Sequence, residues 1–183
     1  MRARQPGVPL VDPRDPALAA LAARGIPAAS LYRALGHRPE LLAAWLEFAA
    51  ALRAECMLPR ALRELVILRS AVLAGARYVW SDHVPMASDA GVRHAQIAAL
   101  GNWRASTVFD AGERAALGLA DELAAGPAAG DRALRELGER FTPAERVELV
   151  LTAAFYAMVP RVLSGLRVPL PDRPPAVPFP ELG

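Results

Sequence analysis

The chain has 183 residues, 54% of them apolar and 22% charged, which is ample material for a packed core and excludes intrinsic disorder as its main state. The apolar share is mostly Ala and Leu, with only 6% aromatics, so helix is favoured and a mainly β protein is excluded. Basic residues, all of them Arg, outnumber acidic ones by only 21 to 19, without a basic run, which argues against nucleic acid as a partner.

A single cysteine, Cys56, excludes an internal disulfide, a CxxC redox motif and any multi-thiolate metal site. The first residues, MRARQPGVPLVDPRD, lack the apolar centre of a signal peptide. Apolar stretches elsewhere are broken by Arg, Glu or Pro before a membrane-spanning length. The expectation is a soluble, cytoplasmic protein with no membrane partner.

In chain order, residues 1–15 form a Pro-containing N-terminal arm, 16–167 one all-helical domain and 168–183 a Pro-rich tail. Pro16 to Ala23 is a short helical candidate, and Ser30 is placed to cap a turn ending near Gly36. Pro39 opens a helix whose Leu41, Leu42, Trp45, Leu46 and Phe48 give a broad apolar face. A helix from Pro59 to Ala74 buries Leu62, Leu65, Val66, Leu68, Val72 and Leu73 and stops at Gly75. Another runs from Arg77 to Asp89, followed by the short segment RHAQIAAL and a loop over 101–109. Asp110 caps AGERAALGLADELAA, GPAAG interrupts, and DRALRELGERF resumes. Thr142 and Glu145 have capping-box spacing and open the long apolar segment 143–166. The helices are more apolar than one subunit's core requires, which predicts a helical homo-oligomer.

The most informative stretch is RALRELVILRSAVLAGARYVWSDHVPMASDAG, residues 60–91. Glu64 lies inside an apolar run, as a solvated edge residue or held by a partner, for which Arg60 at i−4 is one candidate. Tyr78, Trp80, Asp82 and His83 fall within six positions, with Trp80 and His83 sharing one helical face. Pro85 cannot donate to the Ser81 carbonyl, so polar and aromatic groups gather where the helix is weakened.

The pattern RELVILR, then AG-x-x-Y-x-W-x-x-H-x-P-x-A, then AG, resembles the carboxymuconolactone decarboxylase family, which includes the alkylhydroperoxidase (AhpD)-like proteins. ERVELVLTAAFYAMVPRVLSGLRVPLP resembles the family's final helix, and the likeness extends over residues 30–170. It implies an all-α AhpD-like fold in homotrimers or homohexamers, with a site between helices near subunit contacts. It also implies that Glu64 and His83 are the family's relay carboxylate and imidazole. The positions of the redox branch's two cysteines fall on Ala76 and Val79, so disulfide chemistry through that pair is unavailable. The resemblance then points to the decarboxylase-like branch: a lyase of aromatic catabolism acting without cofactor or metal on a small lactone or carboxylic acid.

In that reading His83 is the acid/base and Glu64 its orienter, with Tyr78 and Trp80 as site walls or core and Arg60 or Arg161 as carboxylate anchors. Arg161 serves equally as an intersubunit ion-pair member. Two alternatives stand beside it. One is a peroxidase or antioxidant protein using the lone Cys56, although no resolving Cys or adjacent His accompanies that thiol. The other is a non-catalytic helical ligand-binding or assembly protein. His37 and His94 are expected at the surface, and no HxxxH arrangement suggests a metal.

Overall fold

The Ala- and Leu-rich stretches form helices throughout. A computed structural model describes residues 6–54, 56–126, 128–170 and 176–182, and every regular element among the described residues is helical. The first five residues of the arm, and residues 171–175 and 183 of the tail, lie outside that set. The described chain divides into two units, residues 6–54 with 161–170 and residues 56–160 with 176–182.

The first unit opens with a 3₁₀ turn, Pro16–Leu18, where the Asp15 carboxylate accepts from the Ala17 amide at 2.8 Å. Helices α1 (Ala19–Ala22), α2 (Ser30–Leu35) and α3 (Pro39–Ala54) follow. Their core is Leu18, Leu21, Leu42 and Leu46, surrounded by Val11, Ile26, Tyr32 and Leu35. The apolar face of α3 is narrower than expected. Leu42, Leu46, Ala49 and Leu52 are buried, whereas Leu41 and Phe48 lie off that line and are 58% and 41% exposed. Ser30 is the first helical residue of α2 rather than its cap, a place that Ala29 takes without a side-chain bond. The described part of the arm is tied down: Arg33 Nε donates to the Val11 carbonyl at 2.8 Å, and the Gly7 amide donates to the Leu166 carbonyl at 2.8 Å.

The second unit is built around α4 (Arg60–Leu73), buried on all sides from Leu62 to Val72. The α4 sequence ends where predicted: Gly75 takes φ 61°, a left-handed conformation that glycine adopts at low cost, and the chain reverses into α5 (Arg77–Asp89). That tight reversal packs α5 directly on α4. Then come α6 (His94–Ala99), a 3₁₀ turn over the first half of the expected loop (Leu100–Ala105), α7 (Ala111–Ala125), α8 (Asp131–Gly138) and α9 (Pro143–Gly165). Leu58, Leu62 and Val66 meet Ala116, Leu119, Leu137, Leu149 and Ala153 in one cluster. Each fully buried Leu there contributes roughly 1.5–3 kcal/mol.

The predicted Asp110 cap and the predicted Thr142–Glu145 capping box both form, and Asp110 closes a box of its own with Glu113. Asp110 Oδ1 accepts from the Glu113 amide at 2.8 Å, and Glu113 Oε2 accepts from the Asp110 amide at 2.9 Å. Glu145 Oε2 likewise accepts from the Thr142 amide at 2.8 Å.

Helix α9 corrects one expectation, being long and apolar enough by length and composition to cross a membrane. Its Leu149 and Ala153 belong to the core of the second unit, and we read it as a core helix.

Candidate functional site

The reversal at Gly75 sets Glu64 of α4 beside His83 of α5. Glu64 Oε2 lies 2.8 Å from His83 Nδ1, and the two residues are only 5% and 8% exposed. This answers the question that Glu64 posed in the sequence: it is a buried, partnered carboxylate, and its partner is the imidazole rather than Arg60. A buried carboxylate with an imidazole is stable only when the two satisfy each other. Glu64 engages Nδ1, so Nε2 is the ring nitrogen not turned to the carboxylate.

Tyr156 of α9 completes the arrangement. Its ring meets the His83 ring edge to face, centroids 4.9 Å apart and planes at 87°, and Phe155 packs edge-on against Tyr156 in turn. The imidazole is thus held by a hydrogen bond at one nitrogen and by an aromatic ring beside its plane. Tyr156 is a polar break in the apolar run of α9, and sequence reasoning did not bring it to the site. Only its presence in that run could have signalled it, because 73 residues separate it from His83.

The other sequence candidates fall elsewhere. Arg60 is exposed and donates to the Met86 carbonyl at 3.4 Å, one turn along the α4–α5 contact from Glu64 and His83. Tyr78 is buried, 6% exposed. Trp80 is fully buried and its indole N–H is spent on the Val177 carbonyl at 2.9 Å, so it offers no surface to a ligand while the tail segment is in place. Arg161 belongs to the first unit and is exposed. Ala76 and Val79, at the positions where thiols would stand, open α5.

Cys56 lies just before α4, half-buried. Burial pushes its thiol above the ordinary range; the Arg63 guanidinium opposes this, and the Glu148 carboxylate adds to it. Glu148 also accepts from the Met57 and Leu58 amides at 2.9 and 3.0 Å, satisfying donors ahead of α4. His37 and His94 are exposed, as expected. Among the described residues no group of three or more His, Cys, Asp or Glu side chains could hold a metal.

A second polar cluster serves the fold. Asp121 accepts from Arg69 Nε at 2.6 Å, from Trp103 Nε1 at 3.1 Å and from Arg104 at 2.9 Å, while Arg69 also donates to the Leu100 carbonyl at 2.7 Å. A cavity of about 480 Å³ lies between Gly91, Arg93, Gln96 and the start of α7. Its Gln96, Arg93, Asp110 and Glu113 bond to one another.

The helices packed around one buried helix make an all-α fold of the AhpD-like class. A model of the carboxymuconolactone decarboxylase family matches residues 39–122. A protein of unknown function from Agrobacterium tumefaciens, described as a putative antioxidant defence protein AhpD, is 24% identical over 76% of this chain and 96% of its own, with a TM-score of 0.70. A debrominase in complex with 2,3,4-tribromopyrrole is 18% identical over 92% and 95%, with a TM-score of 0.76. An uncharacterized peroxidase-related protein from Ralstonia eutropha with an alkylhydroperoxidase AhpD core is 16% identical over 93% and 95%, with a TM-score of 0.76. At these identities the solved structures speak for the fold alone. No curated protein matches the sequence. The chain thus matches the carboxymuconolactone decarboxylase family model over residues 39–122 and shares its fold with AhpD-like structures, and its single cysteine excludes a thiol pair.

Proposed function

We propose that this protein carries out cofactor-independent acid/base chemistry, a decarboxylation or a related proton transfer, on a small lactone or carboxylic acid. The observation that carries the reading is the 2.8 Å contact between Glu64 and His83, in a chain that matches the family model over residues 39–122 and has no thiol pair. In such a decarboxylation the C–CO₂⁻ bond breaks, its electron pair enters the conjugated lactone, carbon dioxide leaves, and a proton is placed on carbon. No external electron sink is required. His83 Nε2 is the proton-transferring atom, Glu64 orients the ring and balances its charge, and Tyr156 holds its plane. Arg60, at the exposed end of the same α4–α5 contact, is the anchor we assign to the substrate carboxylate.

A thiol peroxidase reading would rest on Cys56. Its raised thiol disfavours the thiolate that such chemistry needs, and no second cysteine exists to resolve an oxidised one. Self-association belongs to the proposed reading. Val147, Val150, Leu151 and Met158 form a stripe on α9 that is exposed in the single chain.

The test is incubation of the purified protein with 4-carboxymuconolactone, following ultraviolet absorbance and carbon dioxide release. Turnover that falls about 100- to 10,000-fold in His83→Ala is expected. Turnover unchanged in His83→Ala removes the acid/base role, and no turnover by the wild type removes this substrate.

A further inference from the structure

The described end of the tail is docked, and its anchors converge on the helix that carries His83. Trp80 Nε1 donates to the Val177 carbonyl at 2.9 Å, and Val177 is 4% exposed. Phe179 meets the Trp80 ring edge-on with centroids 5.5 Å apart, and the Arg77 guanidinium lies over the other ring at 5.0 Å. The segment also passes so close to Gly101 that a Cβ there would collide with the Glu181 carbonyl oxygen and come within 3.1 Å of Pro180. Four contacts with different chemistries therefore agree on one seat, which Gly101 keeps open by having no side chain.

Trp80 is one helical turn from His83 on the same face of α5. The site has helices α4, α5 and α9 around it, all members of the packed interior, and none can move without opening the core. Residues 176–182 have no regular structure and no backbone ladder to the helices, so they are the least costly part of the surroundings to displace. We propose that residues 176–182 are a strap that lifts from Trp80 to admit a small molecule to the Glu64–His83 pair. The proposal rests on the acid/base reading, which requires that the pair be reached.

The experiment uses the full chain and needs no substrate. Histidine carbethoxylation by diethyl pyrocarbonate, read site by site by mass spectrometry, compares buried His83 with the exposed His37 and His94 as internal standards. Exchange of the Trp80 indole proton, read by NMR, reports whether the strap is seated. Phe179→Ala removes a tail side chain outside the helical core, and Gly101→Ala obstructs the seat from the other side. Each is expected to speed Trp80 indole exchange and His83 modification together, by about tenfold, with His37 and His94 unchanged. Faster indole exchange without faster His83 modification would show that the strap does not cover the site. No change in either signal for both variants would show that it does not lift as proposed, and equal acceleration at all three histidines would replace gating with general loosening. Because labelling is independent of turnover, each of these results leaves the acid/base reading to be judged by His83→Ala alone.

Discussion

At the scale of single residues, the buried Glu64–His83 pair is an obligation as well as an opportunity. Removing the acceptor strands Nδ1 in a site with little water, and an unsatisfied buried donor costs about 1–3 kcal/mol. Glu64→Ala should therefore lower the unfolding free energy read from urea denaturation by that amount. Glu64→Gln, whose amide oxygen still accepts, should lose less stability and still impair proton transfer, because it cannot balance a charged ring. Stability and activity measured on both variants separate a merely structural carboxylate, which Gln would replace, from one that orients the base.

Cys56 yields a prediction with a sign. A thiol whose pKa is raised by burial gives up its proton later than a free one, so the thiolate fraction at neutral pH is depressed. Alkylation by iodoacetamide should accordingly rise with pH along a curve displaced to the alkaline side of a free cysteine. Glu148→Gln removes a charge that raises the pKa and should move that curve back toward lower pH. A curve lying on the acid side would return the thiol to consideration as a nucleophile.

At the scale of elements, helix ends carry most of the local information. The Asp110 and Thr142 boxes form because a short oxygen acceptor followed three residues later by Glu satisfies otherwise orphaned amides, a relation confined to four positions and so visible in sequence. Asp110→Ala should cost about 1 kcal/mol. The other end of α9 breaks the usual rule. Arg167 stands at φ 48°, where a side chain is strained, and its amide and that of Val168 close the helix on Ser164 and Leu163. Arg167→Gly should remove strain of about 1 kcal/mol and recover part of it as stability, since glycine's greater unfolded-state freedom offsets some of the gain. A thermal midpoint that rises confirms the strain, and one that falls assigns Arg167 contacts worth more than its conformation costs.

At the scale of the whole molecule, what was legible and what was not divide by sequence separation. The α4–α5 hairpin was legible because its stop at Gly75 and both candidate side chains, Glu64 and His83, lie within one short stretch. Tyr156 against His83, Trp80 under Val177 and Arg69 on Asp121 were not, since each joins residues whose neighbours carry no periodic trace of the distant partner. The width of the apolar face was misread on α3 for a related reason: Leu41 and Phe48 satisfy a hydrophobic pattern but lie off the line that reaches the core.

The exposed apolar residues of α9 carry the same ambiguity in reverse. Val147, Leu151 and Met158 recur at four and seven residues, the spacing of one helical face, yet 58%, 39% and 41% of their surface is open. Leaving such a stripe in water forgoes roughly 25 cal/mol for every Å² of apolar area that could be covered. If a second copy covers it, charges placed there should break the assembly while leaving the core of each subunit intact, because none of these three side chains belongs to the buried cluster. Sedimentation of Leu151→Glu/Met158→Arg should then give a smaller species than the wild type, with unchanged helical circular dichroism. An identical sedimentation coefficient would mean that α9 is not the surface through which copies of this chain meet.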